Sequence, residues 1–156
     1  MIALLIIARA IHVAAIVHWI GGLLFVTFVI LPSLLKMEPR QRLPLFDALE
    51  RRFGMQARIS TLLAAASGFF MLDQLGFAGH VLDLRFWWLP AMIALWAVFT
   101  IILFVAEPLF LHAWFDRRAQ SDPVGAFRLA LRLHRVLSAL SLATVMGAVA
   151  GAHGLF

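Results

Sequence analysis

The sequence has no cysteine and no tyrosine. Without cysteine there is no disulfide, no zinc–thiolate site, no iron–sulfur cluster and no covalently attached c-type haem. Without tyrosine, aromatic chemistry falls to five Trp and fourteen Phe. Charge is scarce too: 13% of the 156 residues are charged, against 63% hydrophobic. Mean hydropathy is +0.97. A water-soluble domain cannot hide that much apolar surface, whereas a bilayer protein turns it toward lipid. The net charge of +5 would suggest nucleic acid in a soluble protein. Here the basic residues flank apolar runs, so anionic lipid is the expected partner and nucleic acid is not.

The apolar runs predict an all-α, polytopic membrane protein: a single domain, residues 1–156, forming a four-transmembrane-helix bundle. The spans fall at about 2–31, closed by Pro32, and at about 56–75, 86–114 and 126–152. The N-terminus lacks a basic n-region and its apolar run exceeds signal-peptide length, so it reads as a retained first helix. Residues 43–53 read as a short amphipathic helix lying in the interface between helices 1 and 2. Segments 36–58 and 115–135 hold all the Lys and Arg except Arg9 and Arg85. The positive-inside rule therefore places both segments in the cytoplasm and both termini outside. Small residues at helical spacing (Ala57, Thr61, Ala64, Ala65 and Gly68; Ser138, Ser141, Ala148 and Ala152) mark faces for close helix packing.

Six histidines stand out in so apolar a chain, because ionisable residues within spans face the bundle interior and mark sites. His12 lies roughly 30 Å of helix from Pro32, and His153 roughly 27 Å beyond Arg135. Both are thus expected near the outer surface. His112 and His134 are expected near the inner surface, His18 closer to mid-membrane, and His80 in the outer loop. Two pairs of His at two heights is the arrangement of a b-type haem protein, with imidazole on the iron and Arg on the propionates. His12 and His153 are the candidate iron ligands; His18, His112 and His134 are further candidates for the cofactor site. Arg9 and Arg85 are candidate propionate partners, and Trp19, seven residues after His12, would wall the porphyrin. The alternative for any helix-end His is an interfacial anchor. Glu107, before Pro108, reads either as a rim latch to Arg58 or as a proton acceptor beside a redox site. Pro108 is expected to kink its helix by freeing the Phe104 carbonyl.

In the first helix, Arg9 and His12 followed by His18, Trp19 and the Gly21-Gly22 pair resemble the CopD-like and HemJ-like group of bacterial membrane proteins. Arg51, Arg52 and Arg58 before helix 2, and Arg132, His134 and Arg135 opening helix 4, also sit where that group has basic and polar residues. The resemblance implies a bacterial inner membrane, and either haem-dependent oxidation of a porphyrin or copper movement. The HemJ-like pattern carries a Lys in its third helix and Asn-Glu near the start of the last. This chain has neither, which counts against protoporphyrinogen oxidation and leaves His12 as the position that carries over.

Three readings follow. The first is a haem b protein that moves electrons, with quinol or another membrane-soluble substrate, or porphyrin itself, as partner. The second is a copper-handling protein. Copper(I) prefers sulfur, yet Met1, Met37, Met55, Met71, Met92 and Met146 are scattered without a Met-x-x-Met pair. The third is a non-catalytic assembly subunit with no cofactor. A homo-oligomer is compatible with all three.

Overall fold

The structure, a computed structural model, describes residues 1–155. Among the described residues, four helices are long and apolar enough to cross a membrane: α1 (Ile2–Lys36), α2 (Pro39–Gln74), α3 (Trp88–Ser121) and α4 (Pro123–Ala152). The chain is a multi-pass, all-α membrane protein. Its outer surface is what lipid requires: Val17 is 66% and Met146 70% exposed. Met37 and Glu38 alone separate α1 from α2, and Asp122 alone separates α3 from α4. Connections that short make sequential neighbours antiparallel. Packing runs α1–α2, α2–α3, α3–α4 and back to α1, so all connections to basic segments lie at one end and both termini at the other.

The helices are longer than the runs of apolar residues imply. At 34 to 36 residues, α1, α2 and α3 reach roughly 50 Å, beyond an apolar core of about 30 Å. Pro32 does not close α1, and Pro108 does not break α3. The backbone is π-helical over Val26–Ile30, just before Pro32, and over Ile102–Leu111, around Pro108. Each proline would clash with the carbonyl four residues back, Phe28 or Phe104, and the wider π turn relieves that clash. The amphipathic segment at 43–53 is helical, and it continues without a break into α2. Pro44, the sixth residue of that helix, lies inside it and leaves the Arg40 carbonyl without its helical donor. On the third helix, residues 84–86 form a 3-10 turn, and the α-helix starts at Trp88.

The ends are locally secured. Arg42, though a cation, is buried: its Nε donates to the Met37 carbonyl (2.9 Å) and its Nη2 to that of Leu35 (3.3 Å). It therefore satisfies the C-terminal carbonyls of α1 and opposes that helix's negative end. Asp122 caps α4 by accepting from the Gly125 N–H at 2.8 Å, with Pro123 in the first turn. Gly76 follows α2 with φ of +72°, the left-handed position that ends a helix without Cβ strain.

Two apolar clusters fill the bundle. Toward the basic end, Phe46, Phe115 and Phe127 meet ring to ring at 5.2–5.4 Å beside Leu31, Leu34 and Leu131. Nearer the termini, Trp19, Ile20, Leu23 and Ala64 pack with Phe99. Between them, Thr27 and Ser138 hydrogen-bond through their hydroxyls at 2.9 Å, tying α1 to α4. The expected small-residue faces are used, with one change of register at the end of α4. There Gly147 and Gly151 receive the rings of Trp87 and Trp88, while Ala152 faces outward.

Candidate functional site

The α1–α2 seam holds His12 and His18. The His12 Nδ1–H lies 2.9 Å from the Ala64 carbonyl oxygen and 3.2 Å from Ser67 Oγ. A carbonyl only accepts, so this bond places the proton on Nδ1 and leaves Nε2 with a free lone pair. No described residue hydrogen-bonds that nitrogen. Gly68 makes room for the ring: a Cβ there would stand 2.9 Å from His12 Cε1 and 3.3 Å from Nδ1. His12 is half-buried, at the edge of the seam rather than in the sealed core. A ring nitrogen fixed by a carbonyl while its partner points free is how proteins orient a ligating histidine.

His18 lies further along α1, and its Nδ1 is 3.0 Å from Ser60 Oγ. It is exposed on the outer face of the bundle. A hollow of about 470 Å³ opens there, lined by His18, Gln56 and Ser60 among alanines and aliphatic side chains.

His153 is level with His12. The same number of residues separates Thr27 from His12 as separates Ser138 from His153, and the Thr27–Ser138 bond sets the two helices in register. The two imidazoles are not brought into contact. His153 is exposed and its Nδ1–H donates to its own helix, at the Val149 carbonyl (2.8 Å). Arg9, one turn from His12, is exposed. Trp19 is placed differently from its expected role as a porphyrin wall. It is 3% exposed, with Phe99 edge-on at 4.9 Å: helix periodicity put it on the His12 face, but that part of the face is the packed core. Arg85 is likewise occupied, donating from Nη2 to Asp83 Oδ2 (2.7 Å) and from Nε to Oδ1 (3.2 Å) in the exposed loop. That guanidinium, bonded to the side chain and charged beside it, holds the Asp83 carboxyl down to about 2. His80 stacks edge-on with Phe77 and Phe86 in the same loop.

A second polar cluster forms at the basic end. Arg58 pairs with Glu107 and also donates to the Leu103 carbonyl at 2.9 Å. That carbonyl lies in the π-helical stretch, so Arg58 latches the irregular part of α3 to α2. His112 sits between two carboxylates, 3.5 Å from Glu50 and 3.4 Å from Asp116. One ligand atom each from Glu50, Glu107 and His112 lie within 4.8 Å of one another. The set is of the nitrogen–oxygen kind that divalent cations accept, but the Arg58 charge already sits on Glu107 and opposes a cation there. His134 takes no part; its Nδ1–H donates to the Ala130 carbonyl one turn back (2.9 Å). No described contact joins it to His112.

Sequence reasoning passed over Glu50, Asp116, Ser60, Ser67 and Gln56. Glu50 and Asp116 read as ordinary charges of an amphipathic stretch and a basic loop. The serines carry a weak signal, hydroxyls on the helix-packing face of α2. No family model matches the chain, and neither does any curated protein or solved structure.

Proposed function

We propose that this chain is a b-type haem-binding redox protein of a bacterial inner membrane, with His12 as an iron ligand and both termini periplasmic. The observation that carries the reading is the His12 imidazole, fixed at Nδ1 by the Ala64 carbonyl and relieved by Gly68, with Nε2 unpartnered. The donor chemistry fits haem: a neutral imidazole of set tautomer is a good axial ligand. His153, level with it on α4, is the candidate for a second ligand, and Arg9 the candidate partner for a propionate. Haem would supply one-electron chemistry, and the chain would hold it, orient it and exclude water. Copper gains no support from the seam, where no described Met or second His gathers around His12.

The test is the visible spectrum of detergent-purified protein from haem-sufficient cells. The reading expects a Soret band that His12→Ala abolishes or shifts. Colourless protein overturns it, and loss only on replacing His112 or His134 would move the site to the basic end. Orientation is tested separately: the chain has no native cysteine, so single cysteines placed at residues 79 and 120 report sidedness directly. Labelling from outside at 79 alone is expected, and at 120 alone would reverse the topology.

A further inference from the structure

The arginines of the basic end are not all matched by the protein. Arg42 and Arg58 are bonded within the chain. Arg128, Arg132 and Arg135 on α4 have no partner among the described residues. Their spacings of four and three residues set them on one side of the helix, and all three are exposed. That side faces lipid. Met146 lies eighteen residues, and so five full turns, beyond Arg128; it is 70% exposed, and Ala139 between them is exposed too.

The height of the stripe follows from the Thr27–Ser138 bond, which sets α1 and α4 in antiparallel register. Arg128 is level with Met37, Arg132 with Ser33 and Arg135 with Ile30. Between Arg9 and Lys36, α1 has no Asp, Glu, Lys or Arg. The stripe therefore begins at the charged rim and climbs about 10 Å along the helix, into the level where α1 is uncharged. An arginine there runs its apolar stem back toward the interface, where lipid phosphates lie. The carboxylates of this end are engaged elsewhere. Glu50, Glu107 and Asp116 gather around His112 and Arg58, and Asp122 caps α4. Three uncompensated guanidinium groups select an anion, and guanidinium grips phosphate through paired hydrogen bonds.

We infer that Arg128, Arg132 and Arg135 form a binding site for the headgroup of an anionic phospholipid, whose acyl chains lie along α4 past Ala139 toward Met146. This narrows a general attraction of basic segments for acidic lipid to one stripe on one helix. It goes beyond the redox reading and does not depend on haem.

The test counts lipids bound to the delipidated, full-length protein by native mass spectrometry, in about 0.15 M salt, where charges are screened beyond about 8 Å. Wild type should bind dioleoylphosphatidylglycerol in preference to dioleoylphosphatidylcholine. Arg128→Gln, Arg132→Gln and Arg135→Gln should each weaken phosphatidylglycerol binding about fivefold, equivalent to about 1 kcal/mol per basic residue. Together they should weaken it about a hundredfold. These exposed positions should keep the wild-type helix content. Arg51→Gln, Arg52→Gln and Arg117→Gln together remove the same charge outside the stripe, and should leave affinity within about twofold of wild type. An equal loss in both triple variants would reduce the site to diffuse charge and overturn the proposal. Absence of a preference for phosphatidylglycerol in wild type also overturns it. So does loss of a dimer in the stripe variant with lipid affinity unchanged, which would make the stripe a contact between copies.

Discussion

Gly68→Ala asks whether His12 is held in place or merely resting in the seam. The added Cβ would stand 2.9 Å from His12 Cε1 and 3.3 Å from Nδ1, closer than unbonded carbon atoms tolerate. The ring can swing away, but only by releasing the Ala64 carbonyl and Ser67 Oγ. Overpacking costs about 1–3 kcal/mol, and a lost interhelical hydrogen bond in a membrane about 0.6 kcal/mol, up to about 1.7. Against this, alanine gains about 0.8–1.0 kcal/mol of helix propensity over glycine. The substitution should therefore destabilise wild type by about 1–3 kcal/mol. In a His12→Ala background the obstruction is gone, and the same change should stabilise by up to about 1 kcal/mol. Reversible unfolding in mixed micelles, run as a double-mutant cycle, reads the coupling, expected near 2 kcal/mol. Equal effects of Gly68→Ala in both backgrounds, within about 0.5 kcal/mol, would refute a built pocket for His12.

At the basic end, Arg58→Met leaves the Glu107 carboxylate and the Leu103 carbonyl without their donor. The pair is a quarter to a third exposed (31% and 25%), so screening limits the loss to about 1–2 kcal/mol. Arg58→Met with Glu107→Gln should recover to within about 1 kcal/mol of wild type; an equal or larger loss in the double variant would show that the pair is not a latch. In the loop, Arg85 lowers the folded-state pKa of Asp83 to about 2. The contribution of this pair is therefore complete above the ordinary carboxyl value of 3.8 and fades as pH falls through about 2. A carbon-13 titration of the Asp83 carboxyl should show that midpoint return toward 3.8 in Arg85→Ala, and no change would remove Arg85 as the cause. Gly147→Val would thrust a side chain into the Trp87 ring and should lower unfolding stability by about 1–3 kcal/mol; a neutral result would mean that α3 and α4 are not packed that closely.

The four spans were legible because length and hydropathy alone decide whether a helix can cross a bilayer. Their ends were not. Proline at 32 and 108 reads locally as a terminus or a kink, and only the backbone shows that π-helical turns absorb both. The amphipathic segment at 43–53 read as a separate element because its charges interrupt the apolar run, which does not by itself break a helix. His12 was legible as an expensive residue, but its partner was a backbone carbonyl, which leaves no signature in the residue type. Gly68 was read as one of a stripe of small residues, and its specific service to one imidazole emerges from the register between α1 and α2. Glu50 beside His112 depends on a similar long-range register, of α2 against α3, that no local pattern encodes. Trp19 shows the limit of such spacing: seven residues share a face without saying which neighbour that face meets, and the structure sets Trp19 against Phe99.

The central claim is that His12 ligates haem through its free nitrogen. Titrating haem into the purified, haem-free protein in detergent, followed at the Soret band, tests it most directly. Wild type should saturate at a defined stoichiometry, His12→Ala should show no saturable shift, and Trp19→Phe, which changes only core packing, should behave as wild type. Equal binding by wild type and His12→Ala would contradict the account.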